Sequence, residues 1–413
     1  MQAETTAIEP APARRRADRM VIALFLAIIA VPGVGLMLGV DRARISESEM
    51  RELTPWPAWS WQRQAIAAWP ERFQKYFNDH FAFRQALITG QATVLWHGLH
   101  TSSSDTVIAG KGDWLFYGDD GGIQDYVQAE LFTEPQLRQW QLTLERMRDW
   151  LAARGARFLF VIAPDKQMIY PELMPTSLRR MHEEYRADQF LAYMRTHSDI
   201  ELLDLRPPLV AAKSQELLYH HYDTHWNDRG ALIGYQQIAA RLSQWFPSIH
   251  PLTRADFTTS PSAPSGDKTT MLGLVDEGKV SMPGLVPLRG WTSHVVEPVH
   301  PDPYGEDGTV ITQVNRQPGA APLPRAVMFR DSFSSRLIPY LSEHFSRIVY
   351  QWQNDFDPEL VMREHPDVVI QEMVGRHLYI FVPTPELVPD AGAEGAEKRI
   401  SRRAAEQRRA QSD

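Results

Sequence analysis

The chain has 413 residues, of which 43% are hydrophobic and 23% are charged, and this composition is typical of a globular protein of one large or two ordinary domains. The formal net charge is -8, which gives no indication of nucleic-acid binding. The chain contains no cysteine, so disulfides, thiolate metal sites and a cysteine nucleophile are excluded.

The first predicted element is an apolar helix over residues 20–40, a stretch without a charged side chain. At 1.5 Å rise per residue this stretch covers roughly 30 Å, the hydrocarbon thickness of a bilayer. Four arginines precede it, at positions 14, 15, 16 and 19. This positive excess predicts that residues 1–19 stay in the cytoplasm and that the bulk of the chain is exported. A cleaved signal peptide is the alternative, but the length of the apolar run favours an uncleaved anchor.

Beyond the anchor, the sequence predicts a connector over residues 41–70 and a catalytic domain over residues 71–383. An amphipathic helix or helix-turn is expected over residues 73–87, and a turn with a short strand over residues 111–117. Leu137, Trp140, Leu144, Met147 and Leu151 form one apolar stripe, which predicts a helix between Thr133 as N-cap and Gly155 as stop. Residues 384–413 are rich in Ala, Glu and Arg and predict a disordered tail.

Residues 157–163, RFLFVIA, predict a continuous apolar strand, which is typical of a parallel sheet buried on both faces. Further strands are predicted over residues 200–205, 326–329, 347–350 and 367–371, and helices over residues 229–246 and 335–345. This alternation predicts an α/β sandwich with a mostly parallel sheet. Residues 251–325, rich in Pro, Gly, Ser and Thr, interrupt the pattern and are expected to be an insertion or lid over the sheet edge.

The densest polar cluster is HYDTHWN at residues 221–227. If this segment is extended, residues two apart share a face, so Asp223 orients His225 and leaves its other ring nitrogen as a general base. A surface turn that caps the next helix is one alternative, although it leaves Asp223 and His225 without a role. A metal site of His221, Asp223 and His225 is another, but it would need a distant fourth ligand, and we expect no metal.

Ser332 is the candidate nucleophile. It follows the predicted strand over residues 326–329 and precedes a helix that Ser334 or Ser335 can cap. A strand-turn-helix context exposes a serine oxygen and aims backbone amides at a developing oxyanion. A serine also needs an adjacent base, and His225 is the histidine that comes with an orienting acid. Asp-Ser-Phe alone is a weak signal, and it gains weight only beside Asp223 and His225.

Three further polar residues lie near the ends of predicted strands. Asn354 and Arg376 are possible oxyanion or substrate contacts, although structural roles are more common at such positions. Lys166 is a possible contact to an anionic polymer, and an ion pair with Asp165 is at least as good an interpretation.

Several short motifs, in one order, resemble the alginate O-acetylation proteins, whose catalytic domain is SGNH-hydrolase-like. They are NDHFAFR at 78–84, KGDWLF at 111–116, PDK at 164–166, DTHW at 223–226, DSF at 331–333, and PDVVI at 366–370 followed by Glu372. Arg330 stands where the family usually has glycine. No C-terminal carbohydrate-binding β-domain is evident, so the membrane-anchored, single-domain branch is the better comparison.

The resemblance implies an SGNH-hydrolase-like three-layer sandwich after one transmembrane helix, with Ser332 as nucleophile, His225 as base and Asp223 as orienting acid. It implies an O-acetyltransferase of the bacterial inner membrane, without a cofactor. The periplasmic domain would add acetyl groups to an exopolysaccharide such as alginate through an acetyl-Ser intermediate. The expected partners are the polysaccharide, a membrane-bound O-acyltransferase that supplies acetyl groups, and other polysaccharide synthesis or export proteins. An acetyl esterase and a non-catalytic polysaccharide-binding scaffold remain as alternatives.

Overall fold

The computed structural model describes residues 12–40, 43–46, 51–261, 266–274, 282–297, 310–315 and 322–390. The chain forms two compact units. The first comprises Met1–Ser103 and Thr270–Val275, and the second comprises Ser104–Thr269 and Asp276–Asp413. Residues 71–103, which the sequence grouped with the catalytic domain, therefore pack with the N-terminal helix. Of the disordered tail predicted over residues 384–413, residues 391–413 lie outside the described residues. The prediction is wrong for the part before them, where Pro385–Leu387 form a helical turn and Val388 is buried.

Among its described residues, the first unit contains α1 (Pro12–Met37), β1 (Ile45–Ser46), β2 (Arg51–Glu52), α2 (Arg63–His80) and α3 (Arg84–Thr93), followed by a π-helical turn over Val94–Gly98; β1 and β2 pair antiparallel. The stretch Asp18–Met37 of α1 has a mean hydropathy of 2.6 and is long enough to cross a membrane, properties that a signal sequence shares. The amphipathic stretch after residue 73 is divided between α2 and α3. α2 ends at His80, where Phe81 is extended, and Phe83, at φ 65, adopts a left-handed conformation directly before α3.

The second unit contains eleven strands among its described residues: β3 (Val107–Ala109), β4 (Leu115–Tyr117), β5 (Arg157–Ala163), β6 (Leu202–Asp204), β7 (Phe257–Pro261), β8 (Pro283–Pro287), β9 (Ser293–Glu297), β10 (Val310–Asn315), β11 (Arg325–Arg330), β12 (Arg347–Trp352) and β13 (Val368–Val374). The main sheet has the order β6-β5-β13-β11-β12-β10-β9. Its first five strands are mutually parallel, and β10 and β9 continue it antiparallel. The predicted α/β fold with a mostly parallel sheet is confirmed.

Helices cover both faces of the sheet: α4 (Gly122–Val127), α5 (Glu134–Ala152), α6 (Lys166–Ile169), α7 (Arg186–His197), α8 (Arg206–Ala212), α9 (Asp228–Ser243), α10 (Asp267–Met271), α11 (Ile338–Ser342), α12 (Pro358–Glu364) and α13 (His377–Ile380). Successive residues of β5 point to opposite faces, so Leu159 and Val161 enter one apolar core and Phe158 and Phe160 the other. Thr133 caps α5 through a capping box with Gln136, as the sequence predicted for this N-cap.

Residues 251–325 contain more regular structure than their composition suggests. β7 and β8 pair antiparallel, and β10 pairs with β12, so this region extends the central sheet. The sequence prediction of an irregular insertion over the sheet edge is therefore wrong for the described part of this region. The strands were hidden because each is five or six residues long and lies between Pro- and Gly-rich stretches.

Candidate active site

Asp223 and His225 form a hydrogen-bonded pair in the loop that precedes α9. The Asp223 Oδ1 atom accepts from the His225 backbone N–H at 2.9 Å and lies 2.8 Å from His225 Nδ1. The segment is a turn rather than the extended strand considered above, and the carboxylate itself closes this turn. Asn227 then caps α9 through its side chain, which accepts from two backbone amides. The pair and the cap are therefore adjacent but separate features.

The electrostatics of His225 suit a general base. Burial alone would lower the pKa of His225, but the hydrogen bond and charge of Asp223 more than offset it, so the pKa is raised above its ordinary value. Because Nδ1 faces the carboxylate, Asp223 fixes the proton on that nitrogen. His225 Nε2 is buried and has no hydrogen-bond partner among the described residues, so it is available to a reacting group.

Ser332 lies in the turn after β11, as its sequence context predicted. Asp331 caps the turn, accepting from the Phe333 backbone N–H at 2.9 Å through Oδ1. Ser334, which the sequence offered as a cap, instead donates to Glu372 Oε2 at 2.6 Å. Ser332 begins a short helical turn over residues 332–336, and the first N–H groups of such a turn lack an internal acceptor.

The loop of Asp223 and His225 contacts the Ser332 turn through the neighbouring residues. Trp226 Nε1 donates to the Phe333 carbonyl at 3.0 Å, and the His225 and Phe333 rings lie 5.1 Å apart. Trp226 and Phe333 are both fully buried, so these contacts hold the two segments together. The structure thus brings all three candidate residues into one region.

Asp267, a residue the sequence analysis did not single out, lies against the same loop. Its carboxylate accepts from Thr224 N–H at 2.9 Å and from Thr224 Oγ1 at 2.7 Å, and Lys268 Nζ lies 3.3 Å from it. Asp223, His225 and Asp267 offer ligand atoms within 4.8 Å of one another, a spacing that a metal ion could bridge. Each has a protein partner, and the Lys268 ammonium already supplies positive charge, so the arrangement fits acid–base chemistry better.

His221, considered above as a metal ligand, does not belong to this group. Its ring lies 4.6 Å from the Trp114 ring, and its backbone carbonyl accepts a hydrogen bond from Lys166.

Lys166 has a different role from the polymer contact considered above. Its side chain is fully buried, and Nζ donates to the carbonyls of Leu115, His221 and Asp223 at 2.7, 2.8 and 3.1 Å. With three protons and three acceptors, the ammonium has no donor left for a substrate. Burial lowers the pKa of Lys166 to about 7. Lys166 therefore ties the strand β4 and the Asp223 loop together from the interior.

Arg376 is also buried, and it pairs with Asp165. Its backbone N–H and Nη1 both donate to that carboxylate at 2.7 Å. The charges of Asp165 and Asp331 outweigh burial and raise the pKa of Arg376 above its ordinary value. Its guanidinium carbon lies 5.7 Å from the Phe333 ring, which places it beside the Ser332 turn. The ion pair with Asp165 gives Arg376 a structural role and accounts for Asp165, which the sequence paired with Lys166 instead.

Asn354 follows β12, the strand that pairs with β11 ahead of Ser332. β11 and β12 are parallel with Arg330 opposite Trp352, so Ser332 and Asn354 each follow the paired position by two residues. Asn354 Nδ2 lies 3.3 Å from His377 Nδ1, and His377 Nε2 lies 2.7 Å from Asp120 Oδ2. Asp120 therefore fixes the His377 tautomer that presents an acceptor to the Asn354 amide.

Two buried carboxyl groups, those of Asp331 and Glu372, connect the Ser332 turn to β13. Asp331 Oδ2 accepts from the Val374 N–H at 2.7 Å, and Glu372 Oε2 lies 3.3 Å from the Asp331 N–H. Burial and the nearby Asp331 charge raise the pKa of Glu372 well above its ordinary value, so folding favours the protonated form of this carboxyl. No role was predicted for Asp120, His377 or Glu372. Asp120 and His377 lie just after β4 and β13, where a site could have been expected, whereas Glu372 lies within β13.

Comparison with known proteins places the chain in a family. Residues 107–354, more than half of the chain, match the family described as SGNH hydrolase-like domain, acetyltransferase AlgX. The chain belongs to this family of SGNH-hydrolase-like acetyltransferases, and the predicted family and fold class are confirmed. The match covers the Asp223–His225 pair and Ser332.

Individual relatives are more distant. The probable alginate O-acetylase AlgJ of Pseudomonas syringae pv. tomato is 27% identical over 212 residues, 50% of this chain and 51% of that protein. The chain thus matches about half the length of this relative. The probable alginate O-acetylase AlgJ of Pseudomonas fluorescens is 23% identical over 319 residues, 72% of this chain and 77% of that protein. The O-acetyltransferase domain of Pseudomonas putida AlgJ superposes with a TM-score of 0.45 at 19% identity, covering 67% of this chain and 92% of that domain.

Proposed function

We propose that this protein transfers acetyl groups to hydroxyls of an exopolysaccharide through an acetyl ester on Ser332. The observation that carries the proposal is the Asp223–His225 pair, whose Nε2 has no partner among the described residues and whose loop packs on the Ser332 turn. Membership of an acetyltransferase family supports the reaction class. The names of the relatives support alginate, or a similar polymer, as the acceptor.

The reaction has two steps that use the same base. His225 Nε2 takes the Ser332 proton while Oγ attacks the acetyl carbonyl of the donor; the donor oxygen then leaves with the proton from Nε2. A sugar hydroxyl next gives its proton to Nε2 and attacks the acetyl-Ser carbonyl. The Ser332 ester bond breaks, and Oγ recovers the proton. Asp223 holds the imidazole and stabilises its positive charge in both steps.

The oxyanion of each step needs donors on the far side of the carbonyl. The Ser332 backbone N–H is one, because it stands at the first position of its helical turn. We assign Asn354 Nδ2 as the second donor, because Asn354 follows β12 as Ser332 follows β11, and these two strands are adjacent and parallel. Arg376 contributes a buried positive charge on the oxyanion side of the carbonyl, while its hydrogen bonds go to Asp165.

The apolar helix α1 supports a location at a membrane. With α1 as a single-pass anchor in the bacterial inner membrane, the catalytic unit lies in the periplasm, beside a membrane-bound O-acyltransferase that supplies acetyl groups. The polymer and the proteins that make or export it complete the set of partners. No step of the mechanism requires a metal or an organic cofactor.

The test uses the full chain in detergent with 4-nitrophenyl acetate as donor and oligouronates as acceptors. Acetylated sugar and free acetate are measured for the wild type, for Ser332→Ala and for Ser243→Ala. Ser243 ends α9, where its Oγ donates to the Ala240 carbonyl, and serves as the control serine outside the Ser332 turn. Sugar acetylation lost only in Ser332→Ala supports the proposal. Acetate release that does not depend on the acceptor identifies an esterase. Equal amounts of acetylated sugar and acetate from all three proteins refute Ser332 as the nucleophile.

A further inference from the structure

The NDHFAFR motif at residues 78–84 lies in the first unit and takes no part in the chemistry proposed above. Its Asp79 carboxylate accepts from Arg51 Nη1 and Nη2 at 3.0 and 2.6 Å and from Thr54 N–H and Oγ1 at 2.8 and 2.6 Å. The Arg51 guanidinium, working against burial, holds the pKa of Asp79 well below its usual range. His80 Nε2 lies 2.9 Å from the Thr54 carbonyl. The first half of the motif thus fixes residues 51–54 to the end of α2.

The second half of the motif contacts α1. The Ala82 N–H donates to the Pro32 carbonyl at 3.2 Å, and a Cβ added to Gly35 would lie 2.2 Å from Ala82 Cβ. Pro32 precedes the end of α1 at Met37 by five residues, roughly 7.5 Å along the helix axis. The chain after α2 therefore meets α1 inside its apolar stretch.

The helix that follows has one uncharged face toward solvent. Leu87 and Val94 are 57% and 66% exposed, and their spacing of seven residues places them on one side; Phe83, the N-cap residue of α3, is 46% exposed. The opposite side of α3 packs within the unit, where Thr89 Oγ1 donates to the Gly273 carbonyl at 2.8 Å and Ile88 lies against Gly273. Exposed apolar side chains at helical spacing indicate a surface that meets an apolar environment.

Tryptophans gather at the same end of α1. Trp56, Trp59 and Trp61 are 62%, 55% and 83% exposed. Trp56 lines a cavity of about 690 Å³ together with Leu36 and Met37 of α1. Tryptophan is the residue that membrane proteins place at the boundary between hydrocarbon and water.

We propose that residues 81–99 form a membrane-surface platform, with the Phe83–Leu87–Val94 face seated in the lipid–water interface of the bilayer that α1 crosses. The proposal rests on α1 as the membrane anchor. An interfacial helix buries its apolar face about 5–10 Å into this boundary, and the contact between Ala82 and Pro32 lies at that depth. The lipid surface is the occupant because the platform is fixed to the apolar helix itself. The NDHFAFR motif then connects the anchor to a platform of defined depth.

Since the chain contains no cysteine, single-cysteine reporters test the platform in the full-length protein. Leu87→Cys and Val94→Cys are labelled with a polarity-sensitive fluorophore and reconstituted in phosphatidylethanolamine–phosphatidylglycerol vesicles that contain nitroxide-labelled lipid. Ile28→Cys reports on α1. Leu142→Cys, a 45% exposed leucine on a helix of the second unit, is the matched control. We expect quenching at positions 87 and 94 several-fold above that at 142.

The outcomes separate the two levels of the proposal. Quenching at 28 with positions 87 and 94 no different from 142 refutes the platform and leaves the anchor intact. Absence of quenching at 28 refutes the anchor and the platform together.

A pair of glycine variants tests how the platform is held. Gly35→Leu should reduce quenching at position 87, because the new side chain displaces Ala82. Gly33→Leu should not, because an added Cβ at Gly33 meets nothing within 4 Å. Equal quenching in the two variants would show that contact with α1 does not set the depth of the platform.

Discussion

Replacing Asp223 by asparagine tests the proposed base directly. The carboxylate makes a charge-assisted hydrogen bond to His225 Nδ1 at 2.8 Å, an interaction that contributes about 1.5–3 kcal/mol. It also stabilises the imidazolium formed in each step, and two unit charges about 4 Å apart interact by about 4 kcal/mol at an effective dielectric constant near 20. These contributions overlap, and a combined loss of about 4–5 kcal/mol corresponds to a fall in kcat of about 10³–10⁴-fold.

The pH profile of the same variant gives a second, independent readout. In the wild type, activity requires neutral His225, so it rises with pH through a pKa that Asp223 holds above the ordinary histidine value. In Asp223→Asn the imidazole stays buried but loses the carboxylate, so the pKa of His225 falls and the acid limb of the profile moves to lower pH. Initial rates of sugar acetylation across the pH range measure both effects.

Asp267→Asn is the matched control, because Asp267 acts on His225 through charge alone. It should shift the acid limb in the same direction by less and lower kcat by about tenfold or less. An acid limb that stays in place or moves upward in Asp223→Asn would refute the assignment of His225 as the base. So would an equal loss of activity in the two variants.

Three further predictions concern the groups around the pair. Lys166→Met should lower the free energy of unfolding by about 2–4 kcal/mol in denaturant titrations, because it leaves buried carbonyls unpaired, whereas the more exposed Lys213→Met should cost less. Because folding raises the pKa of Glu372, this carboxyl destabilises the folded protein increasingly as the pH rises. Glu372→Gln should therefore raise the melting temperature above that of the wild type by more at pH 8 than at pH 5. Asp120→Asn should lower kcat by about tenfold while KM stays unchanged, since it acts on Asn354 through His377; a change confined to KM would contradict this.

The parts of the fold that periodicity determines were predictable. Residues 157–163 form a strand with those bounds, because the six consecutive apolar residues after Arg157 fit a sheet buried on both faces. The helix after Thr133 was equally clear from its apolar stripe and cap. By contrast, β10 joins the sheet by pairing with β12, which follows it in the chain only after β11, and no local pattern indicates such a pairing.

For the candidate site, the sequence identified groups more readily than their environments. Spacing suggested Asp223 and His225 as a pair, and the structure holds them by a turn that brings the same atoms together. Lys166 illustrates the opposite case. A lysine after a strand in an α/β protein suggests a substrate contact, yet its amine is enclosed by three carbonyls from two distant segments. Burial of this kind depends on tertiary packing that no local pattern encodes.

Arg330, which stands where the family usually has glycine, shows how the Ser332 turn tolerates a large side chain. Arg330 ends β11 in extended conformation, and its φ is not among the positive values that would require glycine. Its guanidinium lies 4.1 Å from the Trp352 ring, and Nη1 donates to the Asp331 carbonyl at 3.2 Å and to Ser335 Oγ at 2.9 Å. The arginine therefore braces the turn from the side of β12, while Glu372 supports it from below. A turn held by both groups keeps the Ser332 backbone N–H at a fixed position, which its proposed role as an oxyanion donor requires.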